Sequence, residues 1–368
     1  MTMDGHVLWS KHANTPRHVA STIKMLNALV VLDRAKLTDT VVVTKQAQTR
    51  NGGVWLGAGQ RLTVRQLLDM MLIHSANDAA TVLALHVGGT QARFVAMMNA
   101  KAASLGLTHT HAVDPDGVSG KEVSTAEDLS VLGRQIMASR VLRPIVGRAW
   151  VSVPQWRGKP VKFASTDLLI GHYEGLEGIK TGFTTGAGFC YVAAAKRGGV
   201  ELLGVVLGAQ SESARFSAMR VLLDWGFSHS HVQQVVSRHA TRTVEVRSQP
   251  VVVYAANAAS ATVFNEAGPL QERVEMSSHT TTQISQGERL GTLVVSQDAF
   301  VLARVPLLSS QSLSSESGMS TAHQTVLGRP GSLFPIVAGA AICIVLVIAG
   351  AAVGTLAARR KGLGRSQD

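Results

Sequence analysis

The sequence predicts an α/β domain over residues 1–230 followed by a small β-rich domain over residues 231–308, and three observations carry that reading. From about residue 4 to 230, helical spacing of apolar residues alternates with strand-like runs, the pattern of helices packed on a sheet. From about 232 to 307, short β-rich runs are broken by polar turns. Beyond both, Leu333 to Ala358 contains no charged residue.

Taken in order, the run Ile23, Leu26, Asn27, Val30 and Val31 predicts a helix that begins near Ser21 and is buried on several sides. Val64 to Leu85 contains a second helical stretch, and Asn99 to Leu105 a third. Thr125 to Met137 is a fourth, with Ser124 or Thr125 as N-cap and acidic Glu127 and Asp128 in the first turn, where they favour the helix dipole. Trp150 to Val153 alternates as a strand. Gly188 to Ala195 and Val200 to Gly208 are β-rich and joined by Lys196-Arg197-Gly198-Gly199, a hairpin signature. Glu212 to Trp225 returns to helical spacing. In the second region Thr243 to Val246, Val251 to Ala255 and Gly291 to Val295 read as short strands.

Ser309 to Ser320 holds seven serines and almost no apolar pattern, so residues 309–332 read as a flexible linker. Residues 333–358 are long enough, at ~1.5 Å rise per residue, to cross ~30 Å of hydrocarbon as a helix. Arg359, Arg360, Lys361 and Arg365 in the tail 359–368 would then sit in the cytoplasm, with everything before the span outside a bacterial cell membrane. Met1 to Ser10 has no positively charged start and no apolar stretch of signal-peptide type, so the expected true start lies upstream.

Lys and Arg outnumber Asp and Glu by 35 to 24, a formal net charge of +11. The basic residues are scattered and not interleaved with aromatics in a stripe, which argues against a nucleic-acid binder and suits an enzyme beside an anionic cell envelope. The two cysteines are Cys190, in a β-rich run, and Cys343, in the apolar segment, so the fold relies on its core and not on a disulfide.

Three short motifs carry chemistry. In Ser21-Thr22-Ile23-Lys24 the serine and lysine are i and i+3 neighbours on one helix face. A serine hydroxyl needs an adjacent base to become a nucleophile, and a lysine serves as one when burial or nearby positive charge lowers its pKa. His74-Ser75-Ala76-Asn77 offers a hydroxyl that can relay a proton to a leaving amine and an amide that can bind a substrate carbonyl. Lys180-Thr181-Gly182 offers a fixed cation, a hydroxyl for a carboxylate and a glycine at which an extended peptide can approach a strand edge. The N–H groups of Ser21 and Phe183 together suit an oxyanion hole. Each motif alone reads as an ordinary helix cap or turn, and the three in this order point to acyl transfer.

In that order and rough spacing, STIK, SAN and KTG resemble the penicillin-binding serine acyltransferases, and the surrounding sequence resembles the low-molecular-weight D-alanyl-D-alanine carboxypeptidases. The likeness extends through LWSKHANTPRHVASTIKM, LLDMMLIHSANDAA, MNAKAASLGLTHTHAVDPDG, GIKTGFTTGAGFC and GVVLGAQSESARF, covering about residues 4 to 230. It implies the serine β-lactamase and penicillin-binding-protein fold, with a central antiparallel sheet flanked by helices. It makes Ser21 the acylated nucleophile, Lys24 its base and Ser75 the proton relay. Asn77 would position substrate, Lys180 and Thr181 would line the pocket for the terminal carboxylate, and Arg215 would help hold that carboxylate. The implied substrate is a peptidoglycan stem peptide ending in D-Ala-D-Ala, β-lactams are implied inhibitors, and no metal or organic cofactor is required. The family also has a further strand before Asp4-Gly5, of which three residues are present, so the N-terminus reads as truncated.

Two other functions use the same motifs. A class A β-lactamase carries Ser-Asp-Asn where Ala76 stands here, together with a deacylating glutamate for which this sequence offers no matching loop. A non-catalytic penicillin- or peptidoglycan-binding module is the other alternative. His109, His111 and Asp114 read as an ordinary loop and not a metal site, Asp128 as a helix-terminal carboxylate and Asp167 as structural.

Overall fold

The computed structural model describes residues 1–47, 52–155, 158–246, 248–277 and 283–313. The first long helix, α1 (Lys24–Arg34), buries Met25, Leu26, Ala28, Leu29, Val30 and Val31, which is why its sequence lacks a clean polar face until Asp33 and Arg34. The expected helical stretch from Val64 to Leu85 is two helices, α2 (Val64–Ile73) and α3 (Asn77–Gly88), interrupted at His74-Ser75-Ala76. Thr63 starts α2 with a capping box: its hydroxyl accepts from Gln66 N, and the Gln66 side chain accepts from Thr63 N. The helix expected at 99–105 begins earlier, as α4 (Gln91–Ser104). In α5 (Ala126–Ala138) the N-cap is Thr125, whose side chain accepts from Asp128 N. A short turn, α6 (Arg143–Val146), precedes the strand Trp150–Val153, which pairs with Val161–Ala164.

The central sheet orders the strands Leu176–Thr184, Gly188–Arg197 and Val200–Ala209 antiparallel, with Gly188–Arg197 in the middle. Its alternation explains the two layers of helices. Val192 and Ala194 face one side, where Leu129, Leu132 and Ile136 of α5 pack, and Gly133 admits Leu203 where a Cβ would meet its Cδ1 at 2.7 Å. Tyr191, Ala193 and Ala195 face the other, under Phe216, Met219 and Leu223 of α7 (Glu212–Ser228). The hairpin between the second and third strands turns at Gly198 and Gly199, with φ of 55° and 85°, the left-handed pair of a two-residue turn. Met1 to Met3 run along the third strand, with Thr2 bridging Leu202.

After α7 a five-stranded antiparallel sheet orders Thr241–Val246, Gln249–Ala255, Phe300–Ser309, Arg289–Gln297 and Leu270–Met276, and Ser230–Val236 pairs with Ala259–Phe264 beside it. These strands enclose their own apolar cluster, built on Val244, Val251, Val253, Leu290, Leu293 and Leu307. The start of the expected linker is ordered here: the last strand ends at buried Ser309, and Leu313 forms an isolated bridge with Ile284. The rest of the Ser-rich segment, the apolar run 333–358 with Cys343, and the basic tail lie outside the described residues. Among the described residues no helix is long and apolar enough to cross a membrane.

Candidate active site

The serine motif does not open inside an α-helix. Ala20–Ile23 form a 3-10 turn and the α-helix proper begins at Lys24. In a 3-10 turn side chains at i and i+3 eclipse, so the tighter winding places the lysine directly over the serine. Lys24 Nζ donates to Ser21 Oγ at 2.7 Å, to Asn77 Oδ1 at 2.6 Å and to the Asp116 carbonyl at 2.5 Å. All three ammonium protons thus have acceptors, and Ser21 Oγ itself reaches the Asp116 carbonyl at 3.3 Å. Lys24 is fully buried, and burial brings its pKa down to about 8, opposed by the fields of Asp116, Asp114, Glu122 and Asp78.

The loop behind this group is built from Asp114-Pro115-Asp116-Gly117. The Asp114 carboxylate accepts from the N–H groups of Asp116, Gly117 and Ser119, and buried Asn27 donates to the Pro115 carbonyl at 2.8 Å. Gly117, at φ +80°, lies so close to the Ala20 carbonyl that no side chain fits. Burial pushes Asp116 up to about 6, against the pull of Lys24. Nothing in the sequence motif marked Asp116, because it contributes a backbone oxygen; the Pro-Asp-Gly turn was the available signal.

Ser75 occupies the break between α2 and α3 in the left-handed region, φ 62°, and Asn77 opens α3. The Asn77 side-chain carbonyl oxygen accepts from Lys24. Across from these, the strand carrying Lys180, Thr181 and Gly182 forms one wall. Gly182 is required there: a Cβ would stand 2.9 Å from Ser21 N and 3.0 Å from Thr22 N and the Val19 carbonyl oxygen. Close contact between strand and turn is what brings the second half of the site to Ser21.

A cleft of about 410 Å³ is lined by Ser21, Ser75, Asn77, Thr181, Gly182, Phe183 and Arg215, so the structure brings most of the sequence-predicted residues together. Lys24 and Lys180 lie beneath its floor. Lys180 is 1% exposed and its Nζ donates to the Thr181 carbonyl at 2.9 Å, so it faces the interior where the sequence reading had it lining the pocket. Burial lowers its pKa well below normal, followed by the charges of Lys24 and Arg215. Thr181 Oγ1 donates to Thr166 Oγ1 at 2.7 Å. Arg215 donates to the Gly182 carbonyl at 3.2 Å and to Glu212 at 2.9 Å, with its guanidinium 4.6 Å from the Phe216 ring centre. Phe183, half exposed, stacks on Phe189 at 4.2 Å.

The remaining carboxylates have structural partners. Asp167 accepts from Tyr191 OH at 2.7 and 2.8 Å, and Asp128 accepts from His109 N and Thr110 Oγ1. His111 bridges Val123 through its backbone. Cys190 is buried and free. His74, Thr166, Leu168, Glu212, Gly52 and Gly53 also line the cleft and were not singled out in the sequence.

The family model for D-alanyl-D-alanine carboxypeptidase matches residues 2–211. The chain belongs to the D-alanyl-D-alanine carboxypeptidase family. A carboxypeptidase of that name from Mycobacterium tuberculosis is 41% identical over 231 residues, 61% of this chain and 79% of the relative. Another, from Bacillus subtilis, is 26% identical over 343 residues, 88% of this chain and 86% of the relative. The crystal structure of penicillin binding protein 5 from Haemophilus influenzae shares the fold, with a TM-score of 0.67 at 22% identity, over 84% of this chain and 94% of that one. The chain is thus a serine-type peptidase with the penicillin-binding α/β fold.

Proposed function

We propose that the chain removes the terminal D-alanine from peptidoglycan stem peptides by two-step acyl transfer on Ser21. The observation that carries this is the contact of buried Lys24 with Ser21 Oγ at 2.7 Å on the floor of the cleft. With Lys24 neutral, its lone pair takes the Ser21 proton as Oγ attacks the carbonyl carbon of the penultimate D-alanine. The oxyanion that forms is met by the N–H groups of Ser21 and Phe183. Ser75 passes the proton to the departing amine, the bond to the terminal D-alanine breaks, and water hydrolyses the remaining ester. Thr181 and Arg215 hold the terminal carboxylate, and Gly182 lets the peptide lie along the strand edge.

The mechanism uses no metal or organic cofactor. β-Lactams enter the same route, because their ring carbonyl presents the same bond to Ser21. D-Alanine release from a synthetic pentapeptide ending in D-Ala-D-Ala tests the reading. Wild type is expected to release it and Ser21→Ala to lose on the order of 10⁶-fold in kcat, as removal of a serine nucleophile does; release that survives in Ser21→Ala excludes the mechanism.

We propose further that residues 1–230 form the catalytic domain, 231–308 a β-rich domain and 309–332 a linker to a membrane helix at 333–358. The uncharged run and the basic tail that follows it support a single-pass anchor with the cleft outside and the C-terminus in the cytoplasm.

A further inference from the structure

An aromatic shelf leads out of the cleft, and nothing in the acyl-transfer scheme uses it. Trp55 stands 74% exposed although its neighbours Val54 and Leu56 are buried. Its backbone is in the left-handed region, φ 58°, which a bulky residue adopts only under constraint. The constraint is the Asp78 carboxylate in the first turn of α3. It accepts from Val54 N at 3.0 and 3.2 Å and from Leu56 N at 3.1 Å, clamping the chain on either side of Trp55 and turning the indole outward.

Inward from Trp55 the ring of Phe163 lies 6.0 Å away, and Phe163 meets His74 at 4.8 Å. His74 is fixed by its contact with the Ala164 carbonyl at 2.8 Å and lines the cleft beside Ser75. A continuous row therefore joins the exposed indole to the reacting centre.

We infer that Trp55 is a stacking platform for a pyranose ring of the glycan strand that carries the stem peptide. The inference rests on the peptidoglycan reading of the cleft. A largely exposed aromatic face suits the flat C–H face of a sugar, whose partly positive hydrogens meet the negative π surface; a peptide side chain needs a pocket. The platform would hold the polymer while the peptide it bears reaches Ser21.

Two measurements test this. The first compares kcat/KM for D-alanine release from the free pentapeptide and from the same peptide on its disaccharide. Trp55→Ala is expected to lower the ratio of linked to free substrate roughly five- to tenfold, through KM, and Trp55→Phe to restore most of it. An unchanged ratio, or an equal fall on both substrates as a peptide-side-chain contact or a rim support would give, overturns the inference. The second measures binding of peptide-free glycan chains to Ser21→Ala with and without Trp55→Ala. Weaker binding in the double variant supports the platform and equal binding overturns it, whether or not the wild type proves to be a carboxypeptidase.

Discussion

A lysine of ordinary basicity is protonated at neutral pH and cannot take a proton from serine. Lowering the pKa from 10.5 to about 8 by burial raises the neutral fraction at pH 7 from about three in ten thousand to about one in ten. Acylation of Ser21 by a penicillin is therefore expected to speed up with pH and level off above about 8, and stopped-flow labelling from pH 6 to 9 checks it. Replacing Lys24 by Ala is expected to slow acylation by about 10²–10⁴, the usual worth of a general base. The same shift bears on stability with a definite sign. Between about 8 and 10.5 the unfolded chain binds the proton that folded Lys24 has shed, so the penalty for burying this amine fades as pH rises through that window. That Ser21, Lys24, Ser75 and Asn77 meet in one place was legible in the sequence because two short motifs carry them as side chains. The Asp116 carbonyl was not, since a backbone oxygen delivered 92 residues from Lys24 leaves no side-chain signature. Nor was the inward turn of Lys180, which depends on the packing beneath the strand and not on the motif.

At the level of elements, the site exists because a 3-10 turn and a strand touch at Gly182. Gly182→Ala is expected to force the two apart, destabilising the fold by roughly 1–3 kcal/mol as over-packing does. Slower penicillin acylation beyond the loss of folded protein, measured by urea unfolding alongside labelling, would place the effect in the site geometry. The capping box at the start of α2 gives a separate expectation: Thr63→Ala should cost about 1 kcal/mol in unfolding free energy while leaving acylation of the folded enzyme nearly unchanged. Periodicity found α5, α7 and the Gly198-Gly199 hairpin closely, where caps and paired glycines mark the ends. The apolar pattern runs through both α2 and α3, and the left-handed backbone at Ser75 is what separates them. Periodicity missed the 3-10 winding at Ala20–Ile23, set by the contacts of Ala20 with Gly117 and of Ser21 with Gly182 and not by residue preference.

For the molecule as a whole, the catalytic core and the strands after α7 keep separate apolar clusters, and their contacts include stacked His6 and Phe300 at 4.6 Å and the Trp225–Phe264 pair at 5.6 Å. The chain from 333 onward is read from sequence alone. Deleting 333–368 is expected to release the protein from the membrane fraction without changing its penicillin labelling, as fractionation followed by gel fluorescence would show. Persistence of the shortened chain in the membrane fraction would remove the anchor from the account.

The central claim is that Ser21 is acylated, and the most direct measurement is mass spectrometry of the protein after a short exposure to penicillin. The expected result is one adduct, located by digestion on the peptide bearing Ser21, absent from Ser21→Ala and much slower to form in Lys24→Ala. An adduct on another residue, or one that forms undiminished in Ser21→Ala, would contradict it.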